Sequence, residues 1–280
     1  MLPELANSYS PTKNYDLGFW LSSPKLDGLR CIYTRDGKDR GLRSRSGTTR
    51  YVGGFDRLEL ECRAICDANN LSFLDGELYI PTTPFDIISG LVRDRTNYEI
   101  TEKYRVEFRI FAIGSATNPN MKAQEMVALI EQIIPVRGMI SYIPQKLIRN
   151  TPSDIQAEAE LVRAFGLSDE GIMLRNPSSV YAGVRSNNLL KVKNFVKNSF
   201  TVVGFTKGTG KFTNSLGSLL VRGMVDETIV NAKVGTGFND SERSDMWTNQ
   251  SNYLGKDVEV IYLGVTAAGS LRHPIFSRFV

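Results

Sequence analysis

Histidine is almost missing: the 280-residue chain has one, His273. A single imidazole excludes a zinc site built on a histidine cluster and argues against a Ser-His-Asp triad. Cysteine is nearly as scarce. Cys31, Cys62 and Cys66 are too few and too odd in number for a disulfide framework, and their spacing is not that of metal-binding pairs. Such usage suits a reducing compartment; Cys62 and Cys66, four apart, read as the buried face of a helix. No run of 18 apolar residues occurs, so a membrane-spanning helix is not expected. The opening Met1-Leu-Pro-Glu-Leu-Ala has neither the basic nor the apolar region of a secretion signal. The expectation is a cytoplasmic, soluble protein with no membrane partner. Excess charge is lacking too: 34 Lys and Arg stand against 30 Asp and Glu, a net +4. That excludes a uniform nucleic-acid coat but leaves room for a local basic patch. Repeats and low-complexity segments are absent, and 41% hydrophobic with 23% charged residues is an ordinary globular composition.

What is there reads as two domains. At about 150 residues per domain the length allows one large or two modest units. Residues 1–20 are polar and turn-rich and read as a loosely packed arm. Beyond Trp20, strands are expected around Leu29–Tyr33, Phe73–Ile80 and Arg105–Ile113, where β-branched and aromatic residues recur at a period of two. Helices are expected over Phe55–Asn69 and Met121–Ile134, and a third from Ser153, with Gln156 completing a capping box and Gly166 ending it. After Phe195 come short strands with Gly-rich turns, a helix capped by Asp240 and running to Trp247, then two more strands. Three strands, a helix and two strands is the order of an OB-type barrel. The division therefore falls at residues 1–196 and 197–280.

Two glycine strings are decoys. Gly208-Thr-Gly-Lys-Phe fails the spacing of a phosphate loop and places Phe212 where Ser or Thr must bind magnesium. Gly235-Thr-Gly lacks the third glycine of a dinucleotide fingerprint. The informative string is Lys25-Leu-Asp-Gly-Leu-Arg, followed in order by Leu74-Asp-Gly-Glu77, Phe108-Arg-Ile-Phe111, Asp169-Glu-Gly-Ile-Met-Leu-Arg175 and Leu190-Lys-Val-Lys193. Each alone admits a bland reading as a turn or a solvated strand face. The ordered set resembles the covalent nucleotidyltransferases, a superfamily of DNA ligases, RNA ligases and mRNA capping enzymes. Phe85-Asp-Ile-Ile-Ser-Gly-Leu-Val-Arg and Ser270-Leu-Arg-His-Pro-Ile-Phe-Ser-Arg278 narrow the resemblance to ATP-dependent DNA ligases of the minimal viral and phage type. The implied fold is α+β, a nucleotidyltransferase domain with ATP-grasp-like antiparallel sheets and helices followed by a C-terminal OB-fold β-barrel.

The resemblance also implies roles. Lys25 is the nucleophile that takes AMP from ATP; a lysine suits this work because the P–N bond is labile, once neighbouring cations and desolvation have made the free amine accessible. Asp27 lies by the nick and the metal, and Arg30 contacts the nucleotide or the nick phosphate. Glu77 accepts the ribose hydroxyls and Phe111 stacks on adenine. The family usually has Asp after this Phe; Ala112 stands here instead. Glu170 and Asp27 hold Mg2+, for which Mn2+ can substitute. Lys191 and Lys193 touch the AMP phosphate. Residues 25–50 carry eight cations against three aspartates, a local excess of five in a chain whose whole excess is four. Arg43, Arg45 and Arg272 are the expected DNA contacts. The family continues past the Arg-His-Pro stretch into an Arg-x-Asp-Lys string, so Arg278 is expected to substitute in part for its cations.

The expected partner is nicked duplex DNA, sealed by a monomer in repair, replication or recombination. The rivals are a GTP-dependent capping enzyme, an RNA ligase and a non-catalytic OB-type DNA-binding protein.

Overall fold

The KxDG string lies where the chain crosses between two sheets. In the computed structural model, which describes residues 2–51, 53–94, 105–266 and 269–280, the chain divides into two compact units, Met1–Val192 and Lys193–Val280. The first unit holds both sheets. One has the order β4-β3-β5-β6-β7, with β3 Leu29–Thr34, β4 Gly41–Ser44, β5 Leu71–Tyr79, β6 Glu107–Ser115 and β7 Ile140–Tyr142. The other has the order β1-β10-β9-β2-β8, with β1 Leu5–Ser8, β2 Phe19–Pro24, β8 Lys146–Arg149, β9 Gly171–Arg175 and β10 Arg185–Lys193. Each carries one parallel pairing, β6 with β7 and β1 with β10. The sheets are thus mixed, not wholly antiparallel. β2 ends in one sheet at Pro24 and β3 begins in the other at Leu29.

Helices cover the sheets where apolar residues recur every three or four positions. Helix α1 (Asp56–Ala68) buries Leu58, Cys62 and Cys66. Helix α2 spans Phe85–Arg93, and α3 (Ala123–Ile133) buries Ala123, Met126, Val127 and Ile130. All three pack into one core with Leu74, Leu78 and Phe108. Each fully buried Leu, Ile or Phe side chain there contributes about 1.5–3 kcal/mol. Helix α4 (Pro152–Ala164) closes a second core with Trp20, Ile172, Leu174 and Leu190.

Two local expectations give way. The cap of α4 is Thr151, whose hydroxyl accepts from the Asp154 amide, with proline at the first helical position. Gln156 instead donates to Glu160. The Pro152 ring presets the helical φ one residue earlier than Ser153 could start it. Nor are residues 1–20 a loose arm. β1 pairs with β10, Tyr9 stacks on Tyr15, Tyr15 meets the Trp20 ring edge-on, and Glu4 forms a buried ion pair with Arg175. A four-residue strand, Leu-Ala-Asn-Ser, is too short to show a period.

The second unit is one antiparallel sheet in the order β13-β12-β11-β14-β15, formed by β11 Val196–Lys207, β12 Leu216–Val225, β13 Thr228–Val234, β14 Asp257–Tyr262 and β15 Ile275–Phe279. An isolated parallel bridge pairs Thr236, just past β13, with Ile275 of β15, and the strand and helix order is that of an OB fold. Helix α5 (Asp240–Thr248) follows β13; its cap is Asn239, in a reciprocal box with Glu242, rather than Asp240. Arg243 of α5 is buried, donates to the carbonyls of Leu216, Gly217 and Gly235, and lies against Phe212 and Phe238. The string Gly208-Thr-Gly-Lys-Phe is the turn this arginine pins.

Candidate active site

Lys25 follows β2 directly, and its amide donates to the Gly171 carbonyl at 2.9 Å, extending the β2–β9 pairing by one residue. Glu170 immediately precedes β9, so the same pairing brings its carboxylate to the lysine. Lys25 Nζ lies 2.7 Å from Glu170 Oε2, and the acid is almost fully buried. Ser168 fixes both partners: its hydroxyl donates to the Lys25 carbonyl and accepts from the Glu170 amide. A cavity of about 640 Å³ opens beside Lys25; Asp27, Arg30 and Glu77 line it, as do Ser44, Arg45 and Arg50 from the loop after β4. Gly28 is required where it stands. A Cβ there would meet the Leu78 carbonyl oxygen at 2.4 Å and Glu77 Cγ at 2.8 Å.

β3 and β5 set the acids. Arg30 pairs in register with Glu77, and Asp75, two residues before Glu77, shares its face. The Arg30 guanidinium grips fully buried Asp75 with two 2.6 Å bonds, Nε to Oδ1 and Nη2 to Oδ2. Tyr181 donates to the same carboxylate at 2.6 Å, and Arg30 also donates to the Glu4 carbonyl at 3.2 Å. Burial works against the Arg30 charge, but Asp75 outweighs it, so the pKa of the guanidinium is raised and it stays charged. Glu77 is the opposite case. Burial pushes its carboxyl up to about 7, against the pull of Arg30 and Lys25, and the charges of Asp75 and Asp27 add to the rise.

Phe111 sits in a bulge. Asp75 pairs with Ala112 and Gly76 with Ile110, which leaves Phe111 without an opposite number. Its half-buried ring carries the Arg30 guanidinium 4.5 Å from the centroid, within cation–π range. Ala112, fully buried and facing Asp75, adds no competing polar group.

Of the remaining expected site residues, Arg45 lines the cavity and Lys191 does not. Lys191 is on β10, and its carbonyl accepts from the Tyr9 amide; it does not line the cavity. Lys193 ends β10 and begins the second unit. Arg43 turns inward on its own loop, donating to the carbonyls of Asp39, Gly47 and Lys38 at 3.0–3.1 Å, whereas Arg45 is exposed and lines the cavity. In the second unit Arg272 is half-buried and exchanges backbone bonds with Leu263 and Gly264. Arg278 is exposed, with Glu259 at 3.6 Å.

Sequence reasoning missed Asp75, Tyr181 and Ser168. Asp75 stood inside a quoted string, and its pairing with Arg30 required the β3–β5 register. Tyr181 carried no signal.

A divalent cation was expected at Glu170 and Asp27. Among the described residues no group of three or more His, Cys, Asp or Glu could hold a metal. The donors near Lys25 are oxygens, the carboxylates of Asp27, Glu77 and Glu170 among them, and Asp27 and Glu77 repel one another. That set fits a hard ion such as Mg2+, which takes one or two carboxylates together with substrate phosphates rather than a full protein cage.

Comparison with known proteins gives the family. The family described as "ATP dependent DNA ligase domain" matches residues 1–193, and "DNA ligase OB-like domain" matches residues 207–279. The DNA ligase of Haemophilus influenzae is 26% identical over 267 residues, 95% of this chain and 88% of that protein. The DNA ligase of Haloferax volcanii is 31% identical over 251 residues, 82% of this chain but only 42% of that longer protein. A structure of a Lig E DNA ligase shares the fold, with a TM-score of 0.74 and 24% identity over 100% of this chain and 99% of that one.

Proposed function

The chain belongs to the ATP-dependent DNA ligases, and we propose that Lys25 is the residue that carries AMP between ATP and a nicked duplex. The placement of the Lys25 amine at the mouth of the cavity, 2.7 Å from one buried carboxylate, carries this assignment. The amine attacks the α-phosphate; a P–N bond forms, the bond to pyrophosphate breaks, and the lysine gives up a proton. Glu170 Oε2 is placed to receive it. The 5′-phosphate of the nick then takes AMP from Lys25, and the 3′-hydroxyl attacks that phosphate and releases AMP.

The other groups orient and hold. Glu77, when ionised, accepts ribose hydroxyls from mid-strand. Phe111 offers a flat apolar face for adenine next to the ring-stacked Arg30, which Asp75 holds in one orientation for a phosphate. Lys191 and Lys193, two apart on β10, are assigned to the AMP phosphate by the sequence resemblance alone, and neither lines the cavity. Mg2+ held by Glu170 and Asp27 supplies charge neutralisation at the phosphates when bound.

Nothing supports the capping, RNA-ligase or non-catalytic readings over this one: the matched families are those of DNA ligases. We further infer a monomer, and a reducing, intracellular setting, the latter because Cys31, Cys62 and Cys66 are all buried free thiols. No described helix is long and apolar enough to cross a membrane.

The test is mass spectrometry after incubation with ATP or GTP. One AMP on Lys25, absent with GTP and absent in Lys25→Ala and Lys25→Arg, is the expected result. The guanidinium of an arginine stays protonated and is a poor nucleophile. An adduct that persists in either variant would remove Lys25 from its role.

A further inference from the structure

Asp75 takes two hydrogen bonds from Arg30 and a third from outside the strands that hold the pair. The third donor, Tyr181, lies in the connection between β9 and β10 of the second sheet, whereas Arg30 and Asp75 belong to the first. Its hydroxyl has two partners. It donates to Asp75 Oδ2 at 2.6 Å and accepts from the Glu4 amide at 3.2 Å. Glu4, directly before β1, completes the path: its carbonyl accepts from Arg30 Nη2 at 3.2 Å, and the same nitrogen donates to Asp75 Oδ2 at 2.6 Å. Arg30, Asp75, Tyr181 and Glu4 thus form a closed circuit of hydrogen bonds. Two members come from one sheet and two from segments joined to the other.

The circuit limits what Arg30 can offer. A guanidinium has five N–H groups. The one on Nε and the two on Nη2 are used inside the circuit, and the two on Nη1 make no hydrogen bond among the described residues. Those two are what the cavity-lining arginine has left for a ligand. The Phe111 ring, its centroid 4.5 Å from Arg30 Cζ, restrains the guanidinium plane as well. Burial and the Asp75 charge raise the Tyr181 phenol above its ordinary 10, so it remains a donor at neutral pH. The aromatic body of Tyr181 has a separate contact, with Phe73 at 4.8 Å between centroids. A phenylalanine would keep that contact and lose the circuit.

We propose that Tyr181 is a positioning residue for the reaction: its hydroxyl, acting through Asp75, holds Arg30 so that Nη1 meets a phosphate. The bland role for Tyr181 is a brace between the two sheets. The two are separable. A brace is carried by the aromatic ring and shows in melting temperature; positioning is carried by the hydroxyl and shows only in the steps that use Arg30.

The inference rests on the ligase reading, so the wild-type protein is first shown to form the Lys25–AMP adduct. Absence of the adduct there would refute that reading and the proposal with it. Two single-turnover rates are then measured: Lys25–AMP formation from saturating ATP, and sealing of a pre-adenylylated nicked duplex. Arg30→Lys keeps a cation for Asp75 but loses the planar fork, and shows which step depends on the guanidinium. Tyr181→Phe should slow the same step by a factor on the order of ten, as when a charged group loses a hydrogen-bond partner. The double variant should be no slower than Arg30→Lys alone, because a residue that acts through another is silent once that other is gone. Losses that multiply in the double variant overturn the proposal. So does a Tyr181→Phe or Arg30→Lys enzyme as fast as the wild type in both reactions, or a Tyr181→Phe enzyme slowed in a different step from Arg30→Lys. If Arg30→Lys fails to fold, hydrogen exchange at the Arg30 Nε–H decides in its place, read by NMR of arginine-labelled protein. Faster exchange in Tyr181→Phe than in the wild type supports the proposal, and equal protection overturns it.

Discussion

Replacing Glu77 with glutamine should make the protein more stable and the enzyme inactive. The Glu77 carboxyl is moved from its ordinary 4.5 to about 7, chiefly by burial. At 1.36 kcal/mol for each pH unit, carrying the anion costs about 3 kcal/mol relative to the unfolded chain. The sign follows from proton binding. The folded state holds this proton more tightly than the unfolded one, so the favourable contribution is complete below pH 4.5 and is lost as pH rises through 7. About 2 kcal/mol of that loss falls between pH 5 and pH 8 once partial contact with solvent is allowed for. The glutamine carries no charge and no such slope. Urea unfolding at pH 5 and pH 8 therefore separates the two proteins. The variant should gain about 2 kcal/mol on the wild type at the higher pH, or roughly 4–8 °C in melting temperature. Adenylylation should disappear, because an amide cannot take the place of a carboxylate that accepts both ribose hydroxyls, and in the wild type the rate should rise through pH 7 as Glu77 ionises. Parallel stability curves for the two proteins from pH 5 to pH 8 would refute the reasoning.

Three other substitutions probe the frame. Gly28→Ala should cost on the order of 1–3 kcal/mol and lower adenylylation, because the new methyl collides with β5 backbone and with Glu77; a chemical-denaturation midpoint equal to wild type would show that the β3–β5 contact is not as close as described. Arg43→Ala should lower the melting temperature by undoing three loop bonds, while Arg45→Ala should leave it unchanged and flatten the salt dependence of nick binding. The reverse pattern would exchange their roles. Glu4→Ala leaves Arg175 buried without its acid and should cost about 3–5 kcal/mol; a change under 1 kcal/mol in urea unfolding would mean that water reaches the pair.

Much of the site was legible because its parts are local. Lys25, Asp27 and Gly28 share one turn, and Glu77 and Glu170 each sit in a short string with its own residue pattern. What stayed hidden depends on register. Nothing in the chain announces that Arg30 meets Asp75, since that pairing follows from the antiparallel match of β3 with β5. The bulge at Phe111 comes from a slip between β5 and β6, and no residue type marks it. Arg43 and Arg45 look alike in sequence but part ways at the end of β4: Arg43 is tied to carbonyls of its own loop, whereas Arg45 lies just past the strand and is exposed. The N-terminal arm was misread for a different reason: β1 pairs with β10 and Glu4 with Arg175, contacts that span well over a hundred residues and leave no period behind.

The hold of β1 on Arg30 has a practical consequence for anyone expressing or trimming this protein. The Glu4 carbonyl accepts from the Arg30 guanidinium, and the Glu4 amide donates to the Tyr181 hydroxyl oxygen at 3.2 Å. An affinity tag fused without a spacer, or a protease that nicks before Tyr9, acts directly on the orientation of Arg30. The damage would read out as an impaired catalyst with an intact OB unit, and would be mistaken for a point mutation in the cavity. Fusion partners belong at the other end of the chain, and loss of activity on N-terminal cleavage reports the state of that one strand.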